Sequence, residues 1–295
     1  MTPSSLTVTA PAKINLYFAV LNKRRDGYHE VETVMQKIDL VDRLTFTFSA
    51  SGFKLTCSDS RLPVDDTNLV AKAANSFFGF TGIASDVLIH LEKNIPIAAG
   101  LGGGSSDAGI CLVGLNTFFK AGLNENQLLE LARPLGADVP FFVSSWPAAC
   151  ATGIGNELRC VEPVEPCWIV LVNPGIYVST KWAYDNFRLT RDGNPYNVLG
   201  RFKLTVDDNL SKFASLQKAD TTRLFNDLEK VTIEKHPVLQ EIKDQFLADG
   251  AKATLMSGSG ATVFGVFEQR AHALKSKDQF SEHYSAVYLA EPVRY

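Results

Sequence analysis

A glycine-rich run at residues 100–106, followed by a long apolar stretch, constrains this chain more than any other feature. The run reads Gly-Leu-Gly-Gly-Gly-Ser-Ser, and residues 108–119 are apolar on nearly every side. Glycines let a backbone approach a ligand closely and adopt positive φ. A helix that is apolar all round is normally buried, and its first turn presents unpaired N–H groups and the positive end of a dipole. Loop and helix in this order predict a cradle for a phosphate.

Two common nucleotide-binding patterns do not fit this run. A P-loop ends in Gly-Lys-Ser/Thr, whereas Ser105 and Ser106 follow Gly104 without a lysine. A dinucleotide fingerprint would need a third glycine where Ser105 stands. A loop that serves only flexibility or tight helix packing is an alternative. The paired serines and the apolar helix behind them favour the phosphate site.

Composition excludes several classes of protein. The 295 residues are 45% hydrophobic and 21% charged, as in ordinary globular proteins. A net charge of −3 argues against non-specific nucleic-acid binding, which normally needs a basic face. We expect no signal peptide and no membrane-spanning helix, because neither pattern occurs. The cysteines are odd in number and lack zinc or CxxC spacing, which predicts reduced thiols in the cytoplasm: Cys57, Cys111, Cys150, Cys160 and Cys167.

Alternation and helical spacing predict a mixed α+β fold. A cluster of Gly and Pro near residues 155–165 places a soft domain boundary there, giving domains 1–160 and 161–295. The elements with clear patterns are strands at 7–20, 31–40, 44–48, 87–91, 168–172 and 262–267, and helices at 68–78, 108–119 and 124–135.

The segment from Pro96 to Ala108 resembles the central motif of the GHMP kinases, a family of small-molecule kinases. Residues 11–16 (Pro-Ala-Lys-Ile-Asn-Leu) and 256–264 resemble two further motifs of the family near the ends of the chain. Within the family, the chain is most similar to the kinases that act on 4-diphosphocytidyl-2-C-methyl-D-erythritol. That similarity is carried by four blocks in the family order: residues 13–16, residues 25–30 (Arg-Asp-Gly-Tyr-His-Glu), residues 136–142 (Gly-Ala-Asp-Val-Pro-Phe-Phe) and residues 226–229 (Asn-Asp-Leu-Glu).

The resemblance implies a fold and a reaction. The expected fold has an N-terminal domain like ribosomal protein S5 domain 2 and a C-terminal ferredoxin-like domain, with the active site in the cleft between them. The expected reaction transfers the γ-phosphoryl of ATP to the 2-hydroxyl of that cytidine substrate, in the non-mevalonate isoprenoid pathway. The alternatives are another GHMP kinase or a non-catalytic nucleotide-binding relative.

The resemblance makes Asp138 the base for the acceptor hydroxyl and Lys13 its partner. The chemistry agrees, because a lysine keeps a carboxylate ionised and stabilises charge that develops on the transferring group. From the pattern alone, Asp138 before Val-Pro favours a helix cap, and Lys13 is readable as a surface lysine. Asn15 should share a strand face with Lys13 and orient the acceptor or its phosphate.

The resemblance also assigns a cytosine pocket. Tyr28 would stack on the base and His29 would supply polar contacts, although the pattern alone indicates an exposed hairpin tip. Tyr184 is the candidate for the second stacking ring, with Phe187 as the fallback. Thr180, in the same segment as Tyr184, joins the substrate-binding set.

The remaining expected contacts concern ATP. Asn68, at a position that also suits a helix cap, and Lys93 match residues at the adenine end. A second glycine turn, Gly258, Ser259 and Gly260, would support the phosphate site, with a tight bend between strands as the alternative. The phosphate cradle itself comprises Pro96, Ala98, Ala99, Gly100, Leu101, Gly102, Gly103, Gly104, Ser105 and Ser106.

Two departures and several further expectations complete the assignment. Ala98 and Ala99 stand where the family is richer in glycine, and because alanine is small we expect little effect. Residues 144–147 (Ser-Ser-Trp-Pro) replace usual glycines and could reshape a rim of the site.

Mg²⁺ is implied by ATP and would be bound through the phosphates rather than by a dedicated carboxylate cluster. The expected partners are small molecules only, with no nucleic acid or membrane, and the chain should be a monomer or weak homodimer.

Overall fold

Two long strands, β1 (Ser5–Lys23) and β2 (His29–Phe48), run through both of the compact units into which the chain divides. The computed structural model describes residues 5–187 and 224–294. The first unit contains the chain through Ala12, Leu40–Ile97 and Gly102–Ser145; the second contains Lys13–Asp39, Ala98–Leu101 and the chain from Trp146 onward. This grouping follows contacts rather than sequence order, and the domain boundary near residue 160 stays a prediction.

The first unit packs helices against one face of a small sheet. The end of β2 pairs antiparallel with β4 (Val87–Glu92), and β4 pairs parallel with β3 (Lys54–Cys57). The helices are α1 (Leu69–Thr81), α2 (Gly103–Phe119), α3 (Glu125–Ala132) and α4 (Val139–Val143), with a 3₁₀ turn at Arg133–Leu135. The core combines Ala, Val and Leu side chains with buried rings such as Phe46, Phe77 and Phe118.

The second unit contains a four-stranded antiparallel sheet with spatial order β11-β7-β10-β9. Its strands are β7 (Trp168–Asn173), β9 (Ala253–Met256), β10 (Val263–Phe267) and β11 (Ala286–Ala290). Among its described residues, the helices are α5 (Thr180–Asn186), α6 (Asp227–Lys235), α7 (Val238–Ala248) and α8 (Arg270–Ser281). Strand, helices, two strands, helix and strand in this order form the ferredoxin-like arrangement, which confirms the expectation for the C-terminal part.

The start of β2 and the middle of β1 also belong to the second unit. There β2 pairs with β5 (Ala148–Thr152), β5 pairs with β6 (Glu157–Cys160), and β1 pairs in parallel with the short β8 (Phe225–Asn226). The sheet register places Tyr17 opposite Phe225 and Phe18 opposite Asn226. The Asn-Asp-Leu-Glu block therefore begins beside the strand that carries Lys13 and Asn15.

Two sequence predictions change at their boundaries. The strands expected at 31–40 and 44–48 are one continuous strand, since the charged residues Asp39, Asp42 and Arg43 do not interrupt β2. The helix expected from 108 begins at Gly103, so part of the glycine run forms its first turn. Gly102 at the N-cap has φ 70°, a left-handed value, and it ends the loop there.

Within residues 5–187 and 224–294, no helix combines the length and apolar character needed to cross a membrane.

Candidate active site

The first turn of α2 presents unpaired polar groups. Its N-cap, Gly102, has no side chain to satisfy the leading N–H groups. The N–H of Ser106 donates to the Gly102 carbonyl (2.8 Å), so the unpaired donors are those before it. In the described part of the chain, Ser106 Oγ and Asp107 Oδ1 are buried and have no hydrogen-bond partner. Free N–H donors and orphaned oxygens at one helix start suit an anion with its counter-cation.

A buried ion triad, formed by Lys93, Asp42 and Asp107, supports this helix start. The Lys93 ammonium donates to Asp107 Oδ2 at 2.7 Å and to Asp42 Oδ2. Asp42 Oδ1 also accepts the N–H of Ile95 (2.8 Å). Burial raises the pKa of Asp107 while Lys93 opposes that rise. Burial alone would lower the pKa of Lys93, but the two carboxylates outweigh it and the pKa is raised. Lys93 thus already has protein partners, and its contact with ATP stays a prediction.

Asp138 occupies the N-cap position of α4 but does not act as a cap through its side chain. Its side chain makes no capping hydrogen bond, although Pro140 sits in the first turn as expected. The short helix packs tightly on α2, because a Cβ on Gly109 would lie 2.9 Å from Phe142 Cβ and 3.0 Å from the Val139 carbonyl oxygen. The capping alternative therefore does not account for the carboxylate, and α2 fixes the backbone that carries it.

Asn68 caps α1 as the sequence pattern allowed. Its Oδ1 accepts the N–H of Val70 (2.9 Å), and its Nδ2 donates to the Pro63 carbonyl (2.7 Å). The side-chain amide is thus engaged with the backbone at both ends. A role for Asn68 at the adenine of ATP stays a prediction.

Lys13 and Asn15 lie on one face of β1, as the alternation predicts. The Lys13 ammonium donates to Asn15 Oδ1 (2.6 Å) and to the Gly100 carbonyl (3.3 Å). Asn15 Nδ2 donates to Thr33 Oγ1 (2.7 Å), whose hydroxyl donates to the Tyr17 carbonyl (2.7 Å). Lys13 is only 5% exposed, which excludes the surface-lysine alternative. This chain of bonds orients both the ammonium and the amide.

The second glycine turn, residues 257–260, meets the start of the glycine run. Ser257 Oγ donates to the Gly100 carbonyl (3.0 Å) and accepts the N–H of Asn15 (3.2 Å). The approach is so close that a Cβ on Gly100 would lie 2.2 Å from the Ser257 carbonyl oxygen. A Cβ on Gly258 would lie 3.3 Å from Asn15 Oδ1. The turn therefore does more than bend the chain between two strands: it contacts Gly100 and Asn15.

The predicted cytosine-binding residues are only partly brought together. Tyr184 stacks on His29 with ring centroids 4.8 Å apart and planes 15° from parallel, while Tyr28 is 62% exposed. Burial and then Lys23 lower the pKa of His29, which favours a neutral ring with one donor and one acceptor. Thr180 Oγ1 lies 3.0 Å from Ser259 Oγ, so α5 is tied to the second glycine turn.

Tyr184→Ala tests this aromatic assignment. Loss of one ring that stacks on a base removes about 1–3 kcal/mol, so we expect KM for the cytidine substrate to rise about tenfold to hundredfold. KM for ATP should stay near the parental value, because Tyr184 belongs to the cytidine assignment alone. Steady-state kinetics with each substrate varied in turn measures both. Phe187→Ala is the comparison. If KM for the cytidine substrate rises in that variant alone, the stacking role belongs to Phe187.

Ala98 adopts a backbone conformation that favours glycine, with φ 54°. The expectation of little effect considered only side-chain bulk, whereas the strain lies in the left-handed backbone. Ala98→Gly should therefore raise the free energy of unfolding by about 0.5–1 kcal/mol. The relief of left-handed strain exceeds the conformational-entropy cost of adding a glycine. Chemical denaturation measures the change. Ala99→Gly is the control, and it should destabilise the protein, since the φ of Ala99 is not positive.

Sequence reasoning did not single out several residues that shape the site. Ser257 is in a matched motif, but its partner Asn15 is 242 positions away. Asp42 is 51 positions from Lys93, and no local pattern connects them. For Thr33, the alternation of β2 is a usable signal, because it predicts that this side chain lies on the buried face of the strand.

Comparisons with known proteins agree with the motif analysis. Residues 68–145 match the GHMP kinases N terminal domain, and residues 208–286 match the GHMP kinases C terminal family. The chain is 45% identical over 286 residues to a 4-diphosphocytidyl-2-C-methyl-D-erythritol kinase of Syntrophotalea carbinolica, covering 96% of this chain and 98% of that protein. It is also 45% identical to the kinase of that name from Geobacter metallireducens, covering 91% and 92% of the two chains.

Solved structures give the same result for the fold. A crystal structure of 4-(cytidine 5'-diphospho)-2C-methyl-D-erythritol kinase matches with a TM-score of 0.80 and 32% identity, covering 97% of this chain and 99% of that one. A homoserine kinase from Cytophaga hutchinsonii matches with a TM-score of 0.76 at 18% identity, covering 100% and 96%. At that identity the second match shows the fold alone.

Proposed function

The chain belongs to the 4-diphosphocytidyl-2-C-methyl-D-erythritol kinases of the GHMP family, and from that premise we propose its reaction and the residues that perform it. It transfers the γ-phosphoryl group of ATP to the 2-hydroxyl of 4-diphosphocytidyl-2-C-methyl-D-erythritol. The products are the 2-phosphate and ADP, in the non-mevalonate route to isoprenoid precursors. The observation that carries this function is 45% identity along 98% of a kinase of that name.

ATP is the phosphoryl donor, and the start of α2 supports its phosphates in the proposal. The N–H groups of Gly103, Gly104 and Ser105 precede the first bond within the helix and are available to an anion at the helix start. A positive dipole end and small side chains favour close approach of a polyphosphate.

Mg²⁺ fits the chemistry of the same helix start. Ser106 Oγ and Asp107 Oδ1 are buried hard oxygen atoms without a hydrogen-bond partner in the described residues. Oxygen atoms are the ligands that Mg²⁺ prefers, and they suit an ion that also rides on phosphates and water. When bound, Mg²⁺ neutralises charge on the phosphate oxygens. Ser106 and Asp107 are therefore the side chains that we propose would face it.

Asp138 and Lys13 carry the transfer step in this proposal. The substrate 2-oxygen forms a bond to the γ-phosphorus as the bond from that phosphorus to the bridging oxygen of ADP breaks. Asp138 takes the proton of the hydroxyl, and Lys13 stabilises negative charge on the transferring group. Asn15, which holds the Lys13 ammonium at 2.6 Å, orients the acceptor.

The cytidine end is assigned to the aromatic cluster of the second unit. Tyr28, with an exposed ring, is available to stack on a base, and Tyr184 supplies the second ring. A neutral His29 offers one donor and one acceptor to the base edge. Thr180 begins the helix that carries Tyr184 and contacts the second glycine turn.

Oligomeric state and location remain part of the proposal. We expect a monomer or weak homodimer, which light scattering over a range of concentrations would establish. A cytoplasmic location agrees with the requirement for ATP. It also agrees with the five cysteines, which are all free.

A coupled assay of ADP release tests the function directly. The purified chain is supplied with ATP and, in separate reactions, the cytidine substrate, mevalonate or homoserine. We expect turnover with the cytidine substrate at least about tenfold above the other two, because a site built around a base leaves polar groups unpaired with smaller acceptors. Turnover of mevalonate or homoserine alone would reject the substrate, and no turnover with any acceptor would favour a non-catalytic relative.

A further inference from the structure

The Asn-Asp-Leu-Glu block at residues 226–229 directs its three polar side chains at the backbone of other segments. Asn226 Nδ2 donates to the carbonyls of Met256 and Gly258, both at 2.7 Å. Asn226 Oδ1 accepts the N–H of Leu228 (2.9 Å) and so caps α6. Both donor positions of this buried amide and one of its acceptor positions bond the backbone, so the amide serves the protein rather than a ligand.

The two carboxylates of the block continue the same pattern. Asp227 Oδ2 accepts the N–H of Val20 on β1 (2.7 Å). Glu229 Oε2 accepts the N–H of Met256 (2.8 Å), and its Oε1 pairs with Lys243. The block is thus joined at one end to the strand that carries Lys13 and at the other to the second glycine turn.

The second glycine turn connects the Asn-Asp-Leu-Glu block to Lys13. Asn226 holds the carbonyls on both sides of Ser257. Ser257 Oγ bonds the Gly100 carbonyl and the Asn15 N–H. The Lys13 ammonium in turn donates to the Gly100 carbonyl (3.3 Å) and to Asn15 Oδ1 (2.6 Å). Asn226 therefore connects to Lys13 through the turn and its serine.

We propose that Asn226 is a positioning residue for phosphoryl transfer. It acts by fixing the 257–260 turn so that Ser257 holds Gly100 and Asn15, which accept hydrogen bonds from the Lys13 ammonium. This inference rests on the proposed function, because it assigns Lys13 to the transfer step. A displaced ammonium would stabilise the transition state less while leaving both substrates bound. The defect therefore belongs in kcat rather than in KM.

Asn226→Asp isolates the two donated bonds. Aspartate has the same size and caps a helix as well as asparagine, but it offers oxygen where the two carbonyls need N–H groups. We expect kcat to fall about tenfold to hundredfold, as for small misplacements of a catalytic group. KM for ATP and for the cytidine substrate should stay within about threefold of the parent. Asn226→Ala, which removes cap and donors together, should lower kcat at least as much.

Ser276→Ala is the matched control for stability. Ser276 is also buried in the second unit, and its hydroxyl donates to Asp249 (2.6 Å) rather than to the turn. It should lower the unfolding midpoint without changing kcat when all variants are assayed well below their midpoints. Parental kcat in both Asn226 variants would overturn the proposal. So would parental kcat in Asn226→Asp with a loss only in Asn226→Ala, since that result assigns Asn226 to capping alone.

A double variant tests the connection through Ser257. If Asn226 acts through that serine, Asn226→Asp combined with Ser257→Ala should be no slower than the slower single variant; losses that multiply would overturn the path. Should neither Asn226 variant fold, Glu229→Ala releases the same turn at the Met256 N–H, and parental kcat there would overturn the proposal. A parent enzyme inactive on the cytidine substrate would instead reject the proposed function.

Discussion

Asp138→Asn is expected to lower kcat by about 10²–10⁴-fold, the contribution typical of a positioned general base. The amide matches the carboxylate in size but does not accept a proton at neutral pH. ATP is assigned to other residues, so its affinity should stay within about twofold of the parent. The loss should appear equally in kcat and kcat/KM, because proton removal occurs only in the transition state.

The same substitution separates catalysis from capping. Asparagine and aspartate are about equally good N-caps, so a residue that only capped α4 would tolerate the change. Asp138 occupies the cap position without a side-chain capping bond, so capping alone does not explain the carboxylate there. Steady-state kinetics and calorimetric titration with ATP provide the two measurements. Asp278→Asn, at a side chain that is 74% exposed, is the control for removing one negative charge. A kcat for Asp138→Asn close to the parent would remove Asp138 from the reaction.

Gly100→Ala is expected to damage both stability and turnover. Its φ of 77° is left-handed, and a Cβ there would lie 2.2 Å from the Ser257 carbonyl oxygen, which is backbone and has little freedom to move. Strain and overpacking together should lower the free energy of unfolding by about 2–4 kcal/mol. The Gly100 carbonyl receives both Lys13 and Ser257, so its displacement should lower kcat about 10²-fold.

Gly122→Ala is the matched control for that experiment. Gly122 has nearly the same φ, 74°, but an added Cβ would meet nothing within 4 Å. The control should show only the left-handed strain, about 1 kcal/mol, with parental kcat. Denaturation curves and kinetics on both variants separate backbone strain from the clash. Equal effects in the two variants would mean that the contact with Ser257 is unimportant.

Local sequence patterns predicted helices and strands, and which side chains of the candidate site share a face. Alternation along β1 placed Lys13 and Asn15 on one face, and the structure joins them by a hydrogen bond. The apolar stretch after the glycine run predicted a buried helix, and α2 is packed in the core of its unit. These features follow from periodicity over a few residues, which one sequence contains in full.

Features that depend on distant partners could not be read from such patterns. The contact of Ser257 with Asn15 spans 242 positions, and the pairing of Lys93 with Asp42 spans 51. The left-handed φ of Ala98 is also imposed by the surrounding fold, because alanine itself disfavours it. For the same reason, the motif at residues 226–229 identified the family without indicating its contacts.

The ion triad of Lys93, Asp42 and Asp107 restricts how this enzyme can change over generations. Each side chain is at most 5% exposed, so loss of Lys93, or of both carboxylates, leaves uncompensated charge in the interior, at about 3–5 kcal/mol. A variant that passed through such a loss would fall below the stability that a folded enzyme needs, so these changes cannot accumulate one position at a time. Lys93 and at least one of its two carboxylates, though scattered along the chain, should therefore be inherited or replaced together.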